Sequence, residues 1–195
     1  MPTRAAKDAL RQRMRALRAA VPREDVARWS QAACAHVLAL PELQAARVVA
    51  LYAPIAGSGE LDTAPIRDGL RARGVITAYP RVRGREQPLE FHAVADVAEL
   101  VVGAFDVPQP RPEAPPAAEP DAFIVPGLAF GRDGERVGWG AGHYDRTLDA
   151  TPRALRIGVA FDFQITAGVP QRPGDQLMDL VVTDAGVRVR RARSP

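Results

Sequence analysis

Apolar and polar positions repeat with a helical period in the first forty residues, and the period shortens afterwards. Residues 5–20 predict an amphipathic helix, with basic side chains on one side and apolar ones at helical spacing on another, namely Leu10, Met14 and Leu17. Residues 23–40 predict a second helix that ends before a proline. We therefore expect the chain to open with two helices.

From residue 47 onward the apolar runs are short and rich in β-branched residues, which is typical of buried strands. These runs predict strands at residues 47–52, 75–79, 89–94, 121–125, 155–161 and 177–183, with a short one near Val187. Residues 61–73 and the segment before Asp149 predict helices, whereas the proline-rich residues 108–120 predict an extended surface loop. Strands that alternate with helices predict an α/β fold, a mostly parallel sheet with helices on both faces, in a Rossmann-like three-layer sandwich. We expect one domain over residues 1–195.

A glycine-rich segment, residues 125–146 (VPGLAFGRDGERVGWGAGHYDR), follows a predicted strand and leads into a predicted helix. It therefore lies at the carboxyl edge of the sheet, where open α/β folds bind ligands. Gly138, Gly140 and Gly142 alternate, and glycine lets main-chain N–H groups approach a phosphate closely. The spacing matches neither the Walker A motif nor the dinucleotide fingerprint, so a tight structural turn is the alternative.

Charged residues flank these glycines. Arg136 and Arg146 are suited to bind phosphate oxygens, and Asp145 is suited to hold a magnesium ion, which prefers carboxylate and phosphate ligands. The chain has a single lysine, Lys7, against an arginine-rich background, so it is a candidate for a specific role.

Composition narrows the class of protein without identifying the ligand. The chain has 195 residues, 47% of them hydrophobic and 25% charged, with a net charge of +3 that suits an anionic partner. No apolar run approaches the roughly 20 residues that span a bilayer, so we expect no membrane partner. The lone cysteine, Cys34, cannot form an internal disulfide, and a cytoplasmic location is the simplest expectation.

Residues 136–146 (RVGWGAGHYDR), preceded by Pro-Gly-x-x-Phe at residues 126–130, resemble the RLGYGGGYYDR motif of the 5-formyltetrahydrofolate cyclo-ligase family. The resemblance covers nearly the whole chain: the basic first helix, residues 60–63, 79–81 and 107–110, and the closing part up to residue 183. It implies an ATP- and Mg²⁺-dependent enzyme that closes 5-formyltetrahydrofolate to 5,10-methenyltetrahydrofolate. In this family ATP phosphorylates the formyl oxygen, the second nitrogen attacks the activated carbon, and ADP and phosphate leave.

The resemblance also implies which residues bind the nucleotide and the metal. ATP is expected to contact Lys7, Arg11, Arg136, Gly138, Trp139, Gly140, Ala141, Gly142, His143, Tyr144 and Asp145. Arg136, Tyr144 and Asp145 are the expected catalytic residues, and Asp145 and Asp175 the expected magnesium ligands. Taken alone, the cations of the first helix favour a solvated face, and Asp175 favours a turn residue or a cap.

The expected folate-binding residues are Tyr52, Glu60, Arg81 and Phe105. The resemblance implies Glu60 near the pterin and formyl group, Phe105 stacked on the folate ring, and Arg81 at the glutamate tail. The alternatives are a helix cap for Glu60, a core position for Phe105 and a surface ion pair for Arg81.

Three positions depart from the family motif. Ala141 replaces glycine or lysine, His143 replaces tyrosine, and Trp139 replaces tyrosine or arginine. A paralogue that binds a nucleotide but acts on another substrate therefore stays an alternative. A basic nucleic-acid-binding protein is a more remote one, because the arginines lack interleaved aromatic residues and any recognisable binding motif. We expect a small-molecule substrate, no nucleic acid, and a monomer.

Overall fold

The structure is a computed structural model that describes residues 4–103 and 106–191. Its helices are α1 (Arg4–Ala19), α2 (Arg23–Leu38), α3 (Ala64–Ala72) and α4 (His143–Ala150). Its strands are β1 (Val48–Ala50), β2 (Ile76–Arg81), β3 (Glu90–Ala93), β4 (Val101–Val102), β5 (Pro108–Gln109), β6 (Ala122–Pro126), β7 (Ala129–Gly131), β8 (Arg136–Val137), β9 (Leu155–Val159), β10 (Ile165–Thr166), β11 (Leu180–Thr183) and β12 (Gly186–Arg190). None of the helices in these two described ranges is long and apolar enough to cross a membrane.

Seven strands form the main sheet, in the order β12-β11-β9-β6-β1-β2-β3. The five inner strands are parallel, and the two edge strands, β3 and β12, pair antiparallel with their neighbours. The chain moves from β1 outward to β2 and then returns to β6 on the other side of β1. The strand order therefore reverses between β1 and β6, which is where doubly wound sheets bind ligands beyond their carboxyl ends.

Helices cover both faces of this sheet, which confirms the predicted α/β class. On one face α2 and α3 bury Val37 and Leu70 against Ile124 of β6. On the other face α4 buries Leu148 near Phe123, also of β6. Because parallel strands are covered on both sides, every residue of β1 and β11 is buried.

A second, three-stranded sheet, in the order β10-β7-β8, combines two strands of the glycine-rich segment with β10 from later in the chain. Strands β7 and β8 form a hairpin, and β10 pairs parallel with β7. Helix α1 packs on this small sheet through Met14, which contacts a buried cluster with Leu128 and Val137. The first helix thus rests on the segment that carries the candidate chemistry, not on the main sheet.

The buried side of α1 differs from the side predicted by its apolar spacing. Met14 is buried as expected, but Leu17 is 42% exposed, whereas Lys7 and Arg18 are buried. The reason is that both cations find polar partners on this side of the helix: Lys7 pairs with Asp175, and the Arg18 guanidinium donates hydrogen bonds to the carbonyl of Ser58.

Candidate active site

A cavity of about 680 Å³ opens beyond the carboxyl ends of β1, β2 and β6. Helix α1, the loop after β1, the β8–α4 loop and residues 172–175 complete its walls. The predicted site residues that line it are Lys7, Arg11, Tyr52, Glu60, Arg136, Gly138, Trp139, Gly140, Ala141, Gly142, His143, Tyr144, Asp145 and Asp175. Residues distant in sequence thus converge at the topological switch point of the sheet.

Two predicted folate-binding residues are not among these. Arg81 ends β2 outside the cavity wall, and its guanidinium donates a hydrogen bond to the carbonyl of Pro110 at 2.6 Å. Phe105 lies outside the described residues, although its neighbours Asp106 and Val107 line the cavity. Both residues stay predictions as folate ligands.

The β8–α4 loop turns through left-handed glycines. Gly140 has φ 110° and Gly142 has φ 72°, a region that residues with a Cβ rarely adopt. Gly142 is the N-cap of α4 and supplies no side-chain capping bond. The first N–H groups of α4 are therefore available at the cavity wall, where the helix dipole favours an anion. Arg11 holds this loop to α1, because its Nε donates to the carbonyl of Gly138 at 2.9 Å.

A partly buried ion pair joins β8 to the start of α4. One terminal nitrogen of Arg136 lies 2.9 Å from Oδ1 of Asp145, and the same oxygen accepts the N–H of Gln176 at 3.2 Å. The Nε of Arg136 is buried and has no hydrogen-bond partner among the described residues. The Arg136 guanidinium therefore has an N–H donor that is not used within the protein, as expected of a group that binds an anion.

A second buried ion pair connects α1 to the loop before β11. The Lys7 ammonium contacts the Asp175 carboxylate, whose Oδ2 also accepts the N–H of Arg172 at 2.6 Å. The side chains are 6% and 16% exposed, respectively. Because burial removes both charges from water, each depends on the other unless a ligand replaces it.

The predicted metal ligands, Asp145 and Asp175, both line the cavity. Within residues 4–103 and 106–191, no group of three or more His, Cys, Asp or Glu side chains is close enough to hold a metal. This arrangement does not suit an ion that needs an all-protein cage. It suits Mg²⁺, which is often bound by one or two carboxylates with phosphate and water oxygens.

Glu60 is buried opposite the glycine loop and is already hydrogen-bonded. Its Oε2 accepts the N–H of Ile55 at 2.9 Å, and its Oε1 accepts the indole N–H of Trp139 at 3.1 Å. The Arg18 guanidinium lies 3.8 Å from Oε1. The Glu60 side chain therefore forms part of the cavity wall and does not cap α3, whose N-cap is Thr63.

Two tyrosines contribute neutral hydroxyls. Burial, and secondarily the Glu60 charge, raise the pKa of Tyr52 well above its ordinary value, and its hydroxyl donates to the carbonyl of Leu61 at 2.9 Å. Burial also raises the pKa of Tyr144 far above its ordinary value, and its hydroxyl has no partner among the described residues. Tyr144 is therefore a protonated donor at neutral pH that a ligand is needed to satisfy.

Arg146 and His143 act locally on the loop. Arg146 donates to the carbonyls of Arg85 and Ala141 at 2.9 and 2.8 Å, so its guanidinium ties the loop to the β2–β3 connection. Its role as a phosphate ligand stays a prediction. The Nδ1 of His143 lies 3.1 Å from the carbonyl of Gln87, in the same connection.

The structure adds two cations that the sequence analysis missed. Arg15 and Arg172 both line the cavity. Arg15 is one helical turn beyond Arg11, so the helical period was the signal that could have found it. Arg172 lies in a loop with no periodic pattern, and only the tertiary fold brings it to the site.

Comparison with known proteins agrees with this geometry. A model of the 5-formyltetrahydrofolate cyclo-ligase family matches residues 3–184. The 5-formyltetrahydrofolate cyclo-ligase of Escherichia coli is 29% identical over 91% of this chain and 98% of its own length. The enzyme of the same name from Mycolicibacterium smegmatis is 34% identical over 70% of this chain and 73% of its own.

Solved structures give the same result. The NMR structure of a 5,10-methenyltetrahydrofolate synthetase from Aquifex aeolicus has a TM-score of 0.81 and 33% identity, covering 97% of this chain and 95% of that one. A 5,10-methenyltetrahydrofolate synthetase from Mycoplasma pneumoniae has a TM-score of 0.72 and 25% identity, covering 91% and 98%. This chain therefore belongs to the 5-formyltetrahydrofolate cyclo-ligase family.

Proposed function

We propose that this protein uses ATP and Mg²⁺ to convert 5-formyltetrahydrofolate to 5,10-methenyltetrahydrofolate, with release of ADP and phosphate. The observation that carries the proposal is one cavity that unites a glycine-rich helix N-terminus, buried cations and a buried carboxylate opposite them. The cations and the glycine loop fit a triphosphate, and the carboxylate fits the N–H donors of a pterin.

The chain's task at the nucleotide is to align phosphates and neutralise charge, because phosphoryl transfer needs little covalent help from protein. Lys7 and Arg11 approach from α1, Arg136 from β8, and the N–H groups of residues 143–145 from the start of α4. The formyl oxygen then attacks the γ-phosphorus and ADP leaves. The N10 lone pair next attacks the formyl carbon, phosphate leaves with the C–O electrons, and N10 loses its proton.

Asp145 and Asp175 are the residues that would hold Mg²⁺, which when bound neutralises charge on the β- and γ-phosphates. Their present partners, Arg136 and Lys7, are themselves expected to contact those phosphates. Binding of the nucleotide would therefore exchange each internal ion pair for contacts with phosphate and metal, so the buried charges stay compensated.

The folate half of the cavity combines a polar end with apolar walls. Glu60 and the Tyr144 hydroxyl offer an acceptor and a donor, and the wall between them and the solvent is apolar, formed by Ile55, Pro80, Val82, Leu89 and Val107. A flat pterin and its aryl ring match such a wall. All these residues come from one chain, so we propose that a monomer is sufficient for activity.

The test is the near-ultraviolet absorbance of the methenyl product after protein, 5-formyltetrahydrofolate, ATP and Mg²⁺ are mixed. We expect a rise that needs all four components, with one ADP formed per product. Omission of each component in turn is the control. A folded protein that binds ATP but forms no methenyl product would contradict the proposal and favour a paralogue with another substrate.

A further inference from the structure

Trp139 occupies an unusual position for a large aromatic residue. It lies in the glycine-rich loop, is 40% exposed, and lines both the main cavity and a second, polar cavity of about 420 Å³ beside it. Its indole therefore forms part of the wall between the two cavities. Large aromatic side chains are mostly buried, so the partly exposed position of this indole needs a reason.

The indole is held on two sides. The guanidinium carbons of Arg15 and Arg18 lie 4.7 and 5.4 Å from its ring centroid, which are cation–π distances. At its edge, the indole N–H donates to Oε1 of Glu60 at 3.1 Å. The contacts connect three segments: α1, the loop after β1 and the β8–α4 loop.

The carboxylate of Glu60 shows what this hydrogen bond achieves. Two ionised oxygens offer about four acceptor sites. Ile55 N–H occupies one, the indole N–H another, and the Arg18 guanidinium faces the same oxygen as the indole from 3.8 Å. The Glu60 carboxylate thus keeps acceptor sites for a ligand, and the donors that already bind it set its orientation.

Without the indole N–H, the nearest remaining partner of Oε1 is Arg18. This guanidinium is buried and donates its strong hydrogen bonds elsewhere, to the carbonyl of Ser58 at 2.7 and 3.1 Å. We expect the carboxylate to rotate toward this positive charge once the indole donor is gone, because the present 3.8 Å separation leaves room for a closer contact. The orientation needed by a folate would then be lost.

We propose that Trp139 is a positioning residue for the folate half of the cavity: its indole N–H holds the Glu60 carboxylate in the orientation that receives the pterin. This inference deepens the proposed function and rests on it. It assigns Trp139 to folate affinity, although the residue belongs to the loop expected to bind the nucleotide.

The test compares Trp139→Phe, which keeps a ring for Arg15 but removes the donor, with Trp29→Phe as a matched control. Trp29 packs against Phe161 and Phe163 and does not line the cavity. Titration calorimetry measures the Kd of 5-formyltetrahydrofolate and, separately, of a non-hydrolysable ATP analogue with Mg²⁺.

We expect Trp139→Phe to weaken folate binding about fivefold, equivalent to about 1 kcal/mol, since a partly exposed bond to a carboxylate contributes less than a buried one. Its Kd for the ATP analogue should change less than twofold, and Trp29→Phe should change neither. Unchanged folate affinity, or an equal or greater loss of nucleotide affinity, would overturn the inference.

If Trp139→Phe does not fold, the Trp29→Phe protein decides, because Trp139 is then the only tryptophan. Its emission maximum should shift when 5-formyltetrahydrofolate binds, and an unchanged maximum at saturation would overturn the inference. Failure of the proposed function is distinguishable: wild-type protein would then neither bind 5-formyltetrahydrofolate nor form the methenyl product.

Discussion

Breaking the buried ion pair between Lys7 and Asp175 should have two separate effects, one on the stability of the fold and one on nucleotide binding. Lys7→Met keeps the length and apolar stem of the side chain but removes its charge. This leaves a carboxylate that is 16% exposed, and among the described residues only the N–H of Arg172, at 2.6 Å, remains as its partner. Asp175 must then find water, bind a cation or become protonated.

The expected magnitude follows from that environment. Breaking a fully buried pair costs about 3–5 kcal/mol, and the residual exposure of Asp175 and its bond to Arg172 reduce this to about 2 kcal/mol. For a chain of this size, each kcal/mol lowers Tm by about 2–4 °C, so Tm should fall by about 4–8 °C. Binding of an ATP analogue with Mg²⁺ should weaken at least about tenfold, as expected for loss of a buried phosphate contact.

Thermal unfolding and titration calorimetry measure the two effects. Arg4→Met on the same helix is the matched control, because its side chain is 86% exposed and its pairing with Asp8 is a surface contact. The double variant Lys7→Met with Asp175→Asn should recover more than half of the lost Tm without recovering nucleotide affinity. A fall of less than 1 °C for Lys7→Met would refute the reasoning from burial.

Three further predictions follow from the site and the core. Asp145→Asn should lower turnover by about a hundredfold or more, because it removes a charge expected at the metal and the ion-pair partner of Arg136. Asp149→Asn, at an exposed position of the same helix, is the control and should retain activity. Comparable steady-state rates for the two variants would contradict the metal assignment. Burial raises the pKa of the Cys34 thiol to about 12, so Ellman's reagent at pH 8 should react only after the protein is unfolded, and rapid reaction of the native protein would show that the thiol is accessible. Main-chain N–H groups of Val48 and Arg47 hold the pKa of Asp121 below its ordinary 3.8. The ionised carboxylate therefore stabilises the fold above pH 3.8, and this contribution is lost as the pH falls through the lower pKa of the folded state. The Tm deficit of Asp121→Asn should shrink below pH 3.8, and a deficit that grows on acidification would contradict this sign.

Strand positions were predictable because each apolar run is long enough to display its pattern. The run at residues 121–125 became β6 (Ala122–Pro126), displaced by one residue. The hairpin of β7 and β8 was missed because its strands have three and two residues, too few for any period to emerge among the glycines. Local sequence does not reveal pairing between such short segments, which depends on the surrounding fold.

The candidate site was predictable mainly through motif resemblance, and the departures are informative. Apolar spacing placed Leu17 on the packed side of α1, yet the structure buries Lys7 and Arg18 there instead. These cations are buried because a carboxylate and a loop carbonyl face them, and the apolar period along the helix carries no information about such partners. The contact of Trp139 with Glu60 was likewise invisible, since 79 residues separate the two positions.

Helix α1 packs mostly on residues that lie far beyond it in the chain. Met14 packs on a cluster whose first other buried member is Leu128, and Lys7 pairs with Asp175, which lies 168 positions later. Until those residues have been synthesised, a nascent chain offers α1 mainly the loop after β1, where Arg18 contacts Ser58 and Glu60. Full docking of α1 is consequently a late event of synthesis, and a chain truncated before Asp175 would keep the Met14 contacts but lose the Lys7 ion pair.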